Sequence, residues 1–278
     1  MTTALDAFVA LLGDGERPSL PLLAAAAQVP LYADRACQPD RIIEQLRDWG
    51  EQLGGRVAAD ASGPNRLRLL NHFFFTELGF RGAEHDYELA ENSYLHRVIE
   101  RRRGIPITLS LLYMEIGKTA GLRLQGVSFP GHFLVKLRMS DGTAYIDVFG
   151  RGATLSADEL RARLHAAVPH SERTGIGPYL RAASDREILA RLLNNLKSIH
   201  WKARQWPEAL EVMNRLVAVL PNAAQERRDR ALVYERLECP RAAVTDLVAY
   251  LSLCAAPPDL AEVRERLARL QKSASRLN

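Results

Sequence analysis

The stretch that most constrains the fold is residues 92–149, NSYLHRVIERRRGIPITLSLLYMEIGKTAGLRLQGVSFPGHFLVKLRMSDGTAYIDVF. Pro106 lacks an N–H, which costs nothing in the first turn of a helix, so Gly104, Ile105 and Pro106 mark a helix start. The helix is largely apolar, through Ile107, Leu111, Tyr113 and Met114, and Gly121 supplies its stop. LRLQGVSF and HFLVKLRM follow. The second alternates Phe133, Val135, Leu137 and Met139 with Leu134, Lys136 and Arg138, the pattern of a half-buried strand. Asp141 and Gly142 form a hairpin turn into TAYIDVF. Antiparallel pairing across that turn brings Asp147 within reach of the strand that carries His132. An apolar helix feeding an antiparallel sheet is an α+β core.

The flanking segments are helical. Helices are expected over 3–12, which GDGERP closes, over 20–27, and from Pro39. The last has Ile42, Ile43, Leu46, Trp49 and Leu53 at three- and four-residue spacing and ends at Gly54 and Gly55. The turn at 60–65 opens a helix in which Phe73 and Phe75 broaden the apolar face beyond a simple stripe. Asp86 is read as the start of a further helix that sets Tyr87 one turn from Glu91. Asn92 and Ser93 are read as caps of a short helix that Gly104 ends. After the hairpin, Ser156 and Glu159 form a capping box, and 169–178 loops back.

From about residue 184 strand signals vanish. Helices are expected at 187–203, 206–219, 224–236, 240–253 and 259–272. Sliding the chain against itself by 34 pairs Ala209 with Ala243, Leu210 with Val244, Leu216 with Tyr250 and Val217 with Leu251. That period belongs to stacked helix pairs. Two domains are expected, 1–183 with a helical lead-in and the α+β core, and 184–278 with all-α repeats of stacked helix pairs.

Charge narrows the function classes. The net +4 is 37 Lys and Arg against 33 Asp and Glu, and the arginines are interspersed with acids, as in ERRDR at 226–230. Interspersion argues for solvated helix faces and against a nucleic-acid surface. Cys37, Cys239 and Cys254 are far apart with no CxxC pair, so neither a disulfide framework nor a zinc site is expected. The first residues lack a basic n-region, and no apolar run is long enough for a membrane span, which makes the cytoplasm the expected compartment.

The central stretch has the outline of a thiol acyl-transfer site. Such sites hold a thiolate at a helix N-terminus, a histidine on a neighbouring strand and an acid that orients its ring. This chain supplies the helix, Pro130–Gly131–His132 and Asp147, but no thiol.

HDYELAENSYL at 85–95, RRRGIPITLSLLY at 101–113, FPGHFLVKL at 129–137 and YIDVFGRGATLS at 145–156 closely resemble the SirB1 family of bacterial proteins. NNLKSIH at 194–200 and RDRALVYERL at 228–237 continue the likeness. The resemblance implies a degenerate papain- or transglutaminase-like core joined to tetratricopeptide-type repeats. Active relatives carry Gly, any residue, then the catalytic Cys; laid on Gly104, that pattern puts Pro106 at the nucleophile position, with His132 and Asp147 matching the rest of the triad.

The leading expectation is a non-catalytic protein- or peptide-binding scaffold, a pseudoenzyme whose repeats engage the partner, with no cofactor, no metal and no membrane. The alternative is a cysteine-independent amidase, peptidase or acyl transferase that uses His132 and Asp147 with Ser110 or Thr108 as a nonstandard nucleophile. Binding candidates are His85, Tyr87, Glu91 and Asn92, and an anion-recognising rim of Arg101, Arg102 and Arg103. Oligomeric state is encoded in none of these patterns.

Overall fold

A computed structural model describes residues 3–13, 20–139, 142–169 and 175–275. The Asp141 corner of the hairpin, most of GDGERP, and His170 and Ser171 lie outside them. The chain forms two compact units, Pro18–Leu192 and Met1–Arg17 with Leu193–Asn278.

The first of these is built on helix α6 (Pro106–Thr119), buried along nearly its whole length. A helix apolar on all sides must be covered on all sides. Helix α3 (Pro39–Gly54) packs on it, with Thr119 Oγ1 donating to the Gly50 carbonyl at 2.6 Å. Also against α6 lie strands β3 (Leu124–Val127) and β4 (Leu134–Met139) of a four-stranded antiparallel sheet completed by β5 (Gly142–Asp147) and β6 (Ala153–Leu155). The expected hairpin is present, with Val135 opposite Ile146 and Leu137 opposite Ala144. Leu134, read as outward, is fully buried. It packs with Val127 and Phe129 under Leu160 and Leu164 of helix α7 (Ala157–Ala167), so the start of β4 is covered on both faces.

Helix α2 (Leu22–Gln28) and helix α4 (Gly63–Asn71) complete the lead-in. A π-helical segment, His72–Glu77, extends α4, with Leu78 N–H donating to the Phe73 carbonyl five residues back. Phe73, Phe74 and Phe75 are all buried. Three consecutive residues cannot share one face of an α-helix, and the wider π turn accommodates them at a multi-sided contact.

Three local expectations fail. Residues 86–91 form turns rather than a helix, because the segment is tied down by Asn92, whose side-chain amide donates to the Asp86 carbonyl. Asn92 and Ser93 therefore lie buried in a 3-10 turn, and helix α5 (Leu95–Arg101) starts after them without a side-chain cap. Nor does Gly104 end α5. Arg102 takes the left-handed conformation at φ 56°, which frees Arg103–Gly104 (β2) to pair in parallel with Arg81–Gly82 (β1).

In the other unit the expected helices are present as α9 (Trp206–Val219), α10 (Ala224–Arg236), α11 (Pro240–Leu253) and α12 (Leu260–Ser275), preceded by the end of α8 (Asp185–Lys202). Successive helices pack against each other around Ala243, Leu247, Tyr250 and Val263. Buried Asp246 receives two hydrogen bonds from Arg230, at 2.6 and 2.7 Å. Helix α1 (Ala4–Leu12), grouped above with the lead-in to the core, belongs to this unit, with the Arg215 guanidinium 5.7 Å over the Phe8 ring. Among the cysteines, Cys239 is exposed and Cys37 buried, and all three thiols are free.

Candidate functional site

Gly131 holds φ 68°, a conformation in which a side chain would be strained, and this turn delivers His132 to the head of β4. Asp147 ends β5. Its Oδ1 lies 2.8 Å from His132 Nε2 and accepts the Gly150 N–H at 2.8 Å, while Oδ2 accepts Arg163 Nη1 at 2.8 Å. Gly150 is required here, since a Cβ would stand 2.9 Å from Oδ2. The carboxylate is 5% exposed. Burial alone would raise its pKa, but the bonds from His132, Gly150 and Arg163 outweigh that and hold it at about 2.

A carboxylate can only accept, so Nε2 carries a proton, and in the neutral ring Nδ1 presents a lone pair. Nδ1 has no hydrogen-bond partner among the described residues, and the side chain is 17% exposed. This is how a triad orients its base: the acid fixes one nitrogen and the other faces the reacting group.

Around the ring stand groups from distant segments. Phe149 packs edge-on to His132 at 6.1 Å, and Tyr87 packs edge-on to Phe149 at 6.3 Å. Phe149 rests on the backbone of Gly82, where a Cβ would stand 2.7 Å from the ring. Gly82 pairs with Gly104, two residues before Pro106, so the short β1–β2 ladder links the head of α6 to the histidine's aromatic neighbour. Burial pushes the Tyr87 phenol above its ordinary pKa, with Arg191 opposing. Arg191 donates to Ser128 Oγ and to the Phe129 carbonyl, both at 2.9 Å. Arg163 and Arg191 lie on helices remote in sequence, and no local pattern marks them as neighbours of the pair.

The head of α6 offers no nucleophile. Pro106 has no side-chain donor and no N–H, so the first amide of an anion-binding helix terminus is missing as well. Thr108 is fully buried. Its hydroxyl accepts from Ile105 N–H at 3.1 Å and lies 2.8 Å from the Asn92 carbonyl, to which it donates, a cap rather than a reactive group. Ser110 is fully buried, and its Oγ has no hydrogen-bond partner among the described residues.

Of the expected binding candidates, Arg101, Glu91 and Asn92 come together and the others disperse. Arg101 pairs with Glu91 at 3.0 Å and reaches Asn92 Oδ1 at 3.4 Å. Arg102 is sandwiched over Trp49 at 4.5 Å and Phe80 at 4.9 Å, and burial lowers its pKa. Arg103 is half-buried in β2. The three do not form a rim, because the backbone reversal at Arg102 sends it to the aromatic core. His85 and Glu91 are exposed, and among the described residues neither is hydrogen-bonded to His132. No cluster of three or more His, Cys, Asp or Glu side chains suited to a metal occurs among them.

A helix buried against an antiparallel sheet, with a strand-borne His–Asp pair, defines the protein as one with a papain-like α+β core, joined here to helical repeats. Residues 40–194 match the family described as transglutaminase-like superfamily, and residues 196–268 match the tetratricopeptide repeat. The chain is 35% identical over 227 residues to a UPF0162 protein of Xylella fastidiosa, covering 81% of each. It is 32% identical over 253 residues to a UPF0162 protein of Pseudomonas aeruginosa, covering 91% of this chain and 90% of the relative. It is 28% identical over 207 residues to protein SirB1 of Salmonella typhimurium, covering 74% and 76%. No solved structure matches. The chain belongs to the SirB1-like family of bacterial proteins, with a transglutaminase-like core followed by tetratricopeptide repeats. No helix among the described residues is long and apolar enough to cross a membrane.

Proposed function

We propose that this protein is a non-catalytic binding scaffold of the cytoplasm, with Pro106 at the former nucleophile position, His132 and Asp147 kept as a polar binding element, and the repeats engaging a protein or peptide partner. One observation carries the reading. The base and its orienting acid hold triad geometry, with His132 Nε2 2.8 Å from Asp147, while Thr108 is used as a cap and Ser110 is sealed. Nucleophilic catalysis requires the attacking atom within hydrogen-bond reach of the base, and neither hydroxyl is available to it. His132 Nδ1 as acceptor, the Tyr87 hydroxyl and the Phe149 ring can still hold an amide group without breaking it.

The catalytic half is tested by amide hydrolysis and by incorporation of a fluorescent amine into casein, comparing the full chain with His132→Ala. Equal background rates are expected. Turnover that disappears with His132 overturns the reading. The binding half is tested by whether the full chain enriches a displayed library of random 12-residue peptides above a blank support.

A further inference from the structure

The repeat unit contains a concavity of about 710 Å³, lined by Trp201 from α8, Arg204 from the following turn, Trp206 from α9, Leu232, Glu235 and Arg236 from α10, and Arg266 and Arg269 from α12. Four arginines face one acid. Glu235 serves two of them, accepting from Arg266 and from Arg269, each at 2.8 Å. It therefore orients two guanidinium groups at the rim while neutralising only one. Arg266 is also held by Glu262 at 3.1 Å; Arg204 and Arg236 are exposed.

Two indoles and Leu232 supply the apolar part of the wall. Trp201 and Trp206 meet edge to face at 5.6 Å, and the Arg236 guanidinium lies 5.9 Å over Trp206. Guanidinium groups bind carboxylates bidentately, and indole faces bind apolar side chains. A cavity of this volume is the size of an organic ligand or a few side chains, larger than a single inorganic anion needs.

We propose that this cavity is the docking site for an acidic peptide segment that carries an apolar or aromatic side chain between its carboxylates. The proposal rests on the reading of the repeats as the partner-binding region and gives that partner its chemistry. A nucleic-acid strand fits less well, because a phosphate backbone needs a continuous cationic track. Here exposed Glu238, Glu262 and Glu265 interrupt the surrounding helix faces.

The test selects the displayed library of random 12-residue peptides on the full wild-type chain and on Arg204→Glu/Arg236→Glu. Both substituted residues are exposed, and neither arginine is one of those paired with Glu235. Circular dichroism checks the fold, and Arg269→Gln is the second variant. Enrichment of Asp/Glu-rich peptides with an apolar centre is expected. A fluorescein-labelled winner should lose about tenfold or more in affinity on the double reversal, and should bind more tightly than a 12-nucleotide single-stranded RNA. Enriched peptides that are not acidic, or that bind the double variant equally well, overturn the inference and leave peptide binding by the protein standing. Tighter binding of the RNA overturns it as well. No enrichment above the blank support removes both.

Discussion

Asp147→Asn keeps the shape of the side chain and removes its charge, and its effect on stability follows from the site. The fall from an ordinary carboxylate value of 3.8 to about 2 corresponds, at about 1.36 kcal/mol per pH unit, to about 2 kcal/mol of folding stability. The folded-state value is depressed, so the contribution is fully present above about pH 4 and is lost as pH falls through about 2. Trp49 is the one tryptophan in the core unit, so a Trp201→Phe/Trp206→Phe background makes its fluorescence report on that unit. Urea unfolding of this background with and without Asp147→Asn, from pH 7 down to pH 2.5, gives the difference directly, because every other acid titrates in both proteins. The charged form should be more stable by about 2 kcal/mol at neutral pH, with the gap closing below about pH 4. A gap that is flat or widens with acid refutes the argument that His132, Gly150 and Arg163 stabilise the ionised carboxylate.

Ser110→Ala removes a buried hydroxyl that has no partner among the described residues, so thermal unfolding should be unchanged or shifted slightly upward; a loss above about 1 kcal/mol would show that Ser110 Oγ is engaged. Asp246→Ala strands Arg230 in a buried setting and should cost the repeat unit about 3 kcal/mol, read from Trp201 and Trp206 fluorescence in urea. Gly82→Ala forces Phe149 to move and should cost about 1–3 kcal/mol, with the His132 ring signals shifted in NMR spectra; unshifted signals would dissociate Phe149 from the pair.

What the sequence makes legible is what short-range physics dictates. Pro106, Gly121, the period-two pattern of β4 and the Ser156–Glu159 box each act over a few residues, and the helices of the repeats follow from apolar spacing alone. The misses are tertiary. Leu134 is buried because α7 returns over the sheet, and α1 joins the repeats because Phe8 finds its place beside Arg215. The turn at 86–91 exists because Asn92 binds backward to Asp86, against a pattern that reads as helical. Arg163 and Arg191 come from helices that share no pattern with the site, whereas the cationic cavity is built from successive repeats, whose spacing of 34 sets Glu235 beside Arg269 without showing that these side chains would line one concavity. The expected arginine rim failed for the same reason: one left-handed residue, Arg102, turns a run of like charges into three separate environments.

Asp147 also explains how a His–Asp pair can persist in a core without a nucleophile. The carboxylate closes the turn after β5 through the Gly150 N–H and anchors α7 through Arg163, while His132 satisfies what remains of Oδ1. Taking away the histidine removes the largest of the interactions that hold the charge but leaves it bonded to two donors, Gly150 and Arg163. Taking away the aspartate releases a turn, a helix anchor and the histidine together. The two members of the pair are thus unequal: Asp147 is held in place by a turn, a helix anchor and the histidine, whereas His132, whose Nδ1 has no partner among the described residues, is the one positioned to meet a ligand.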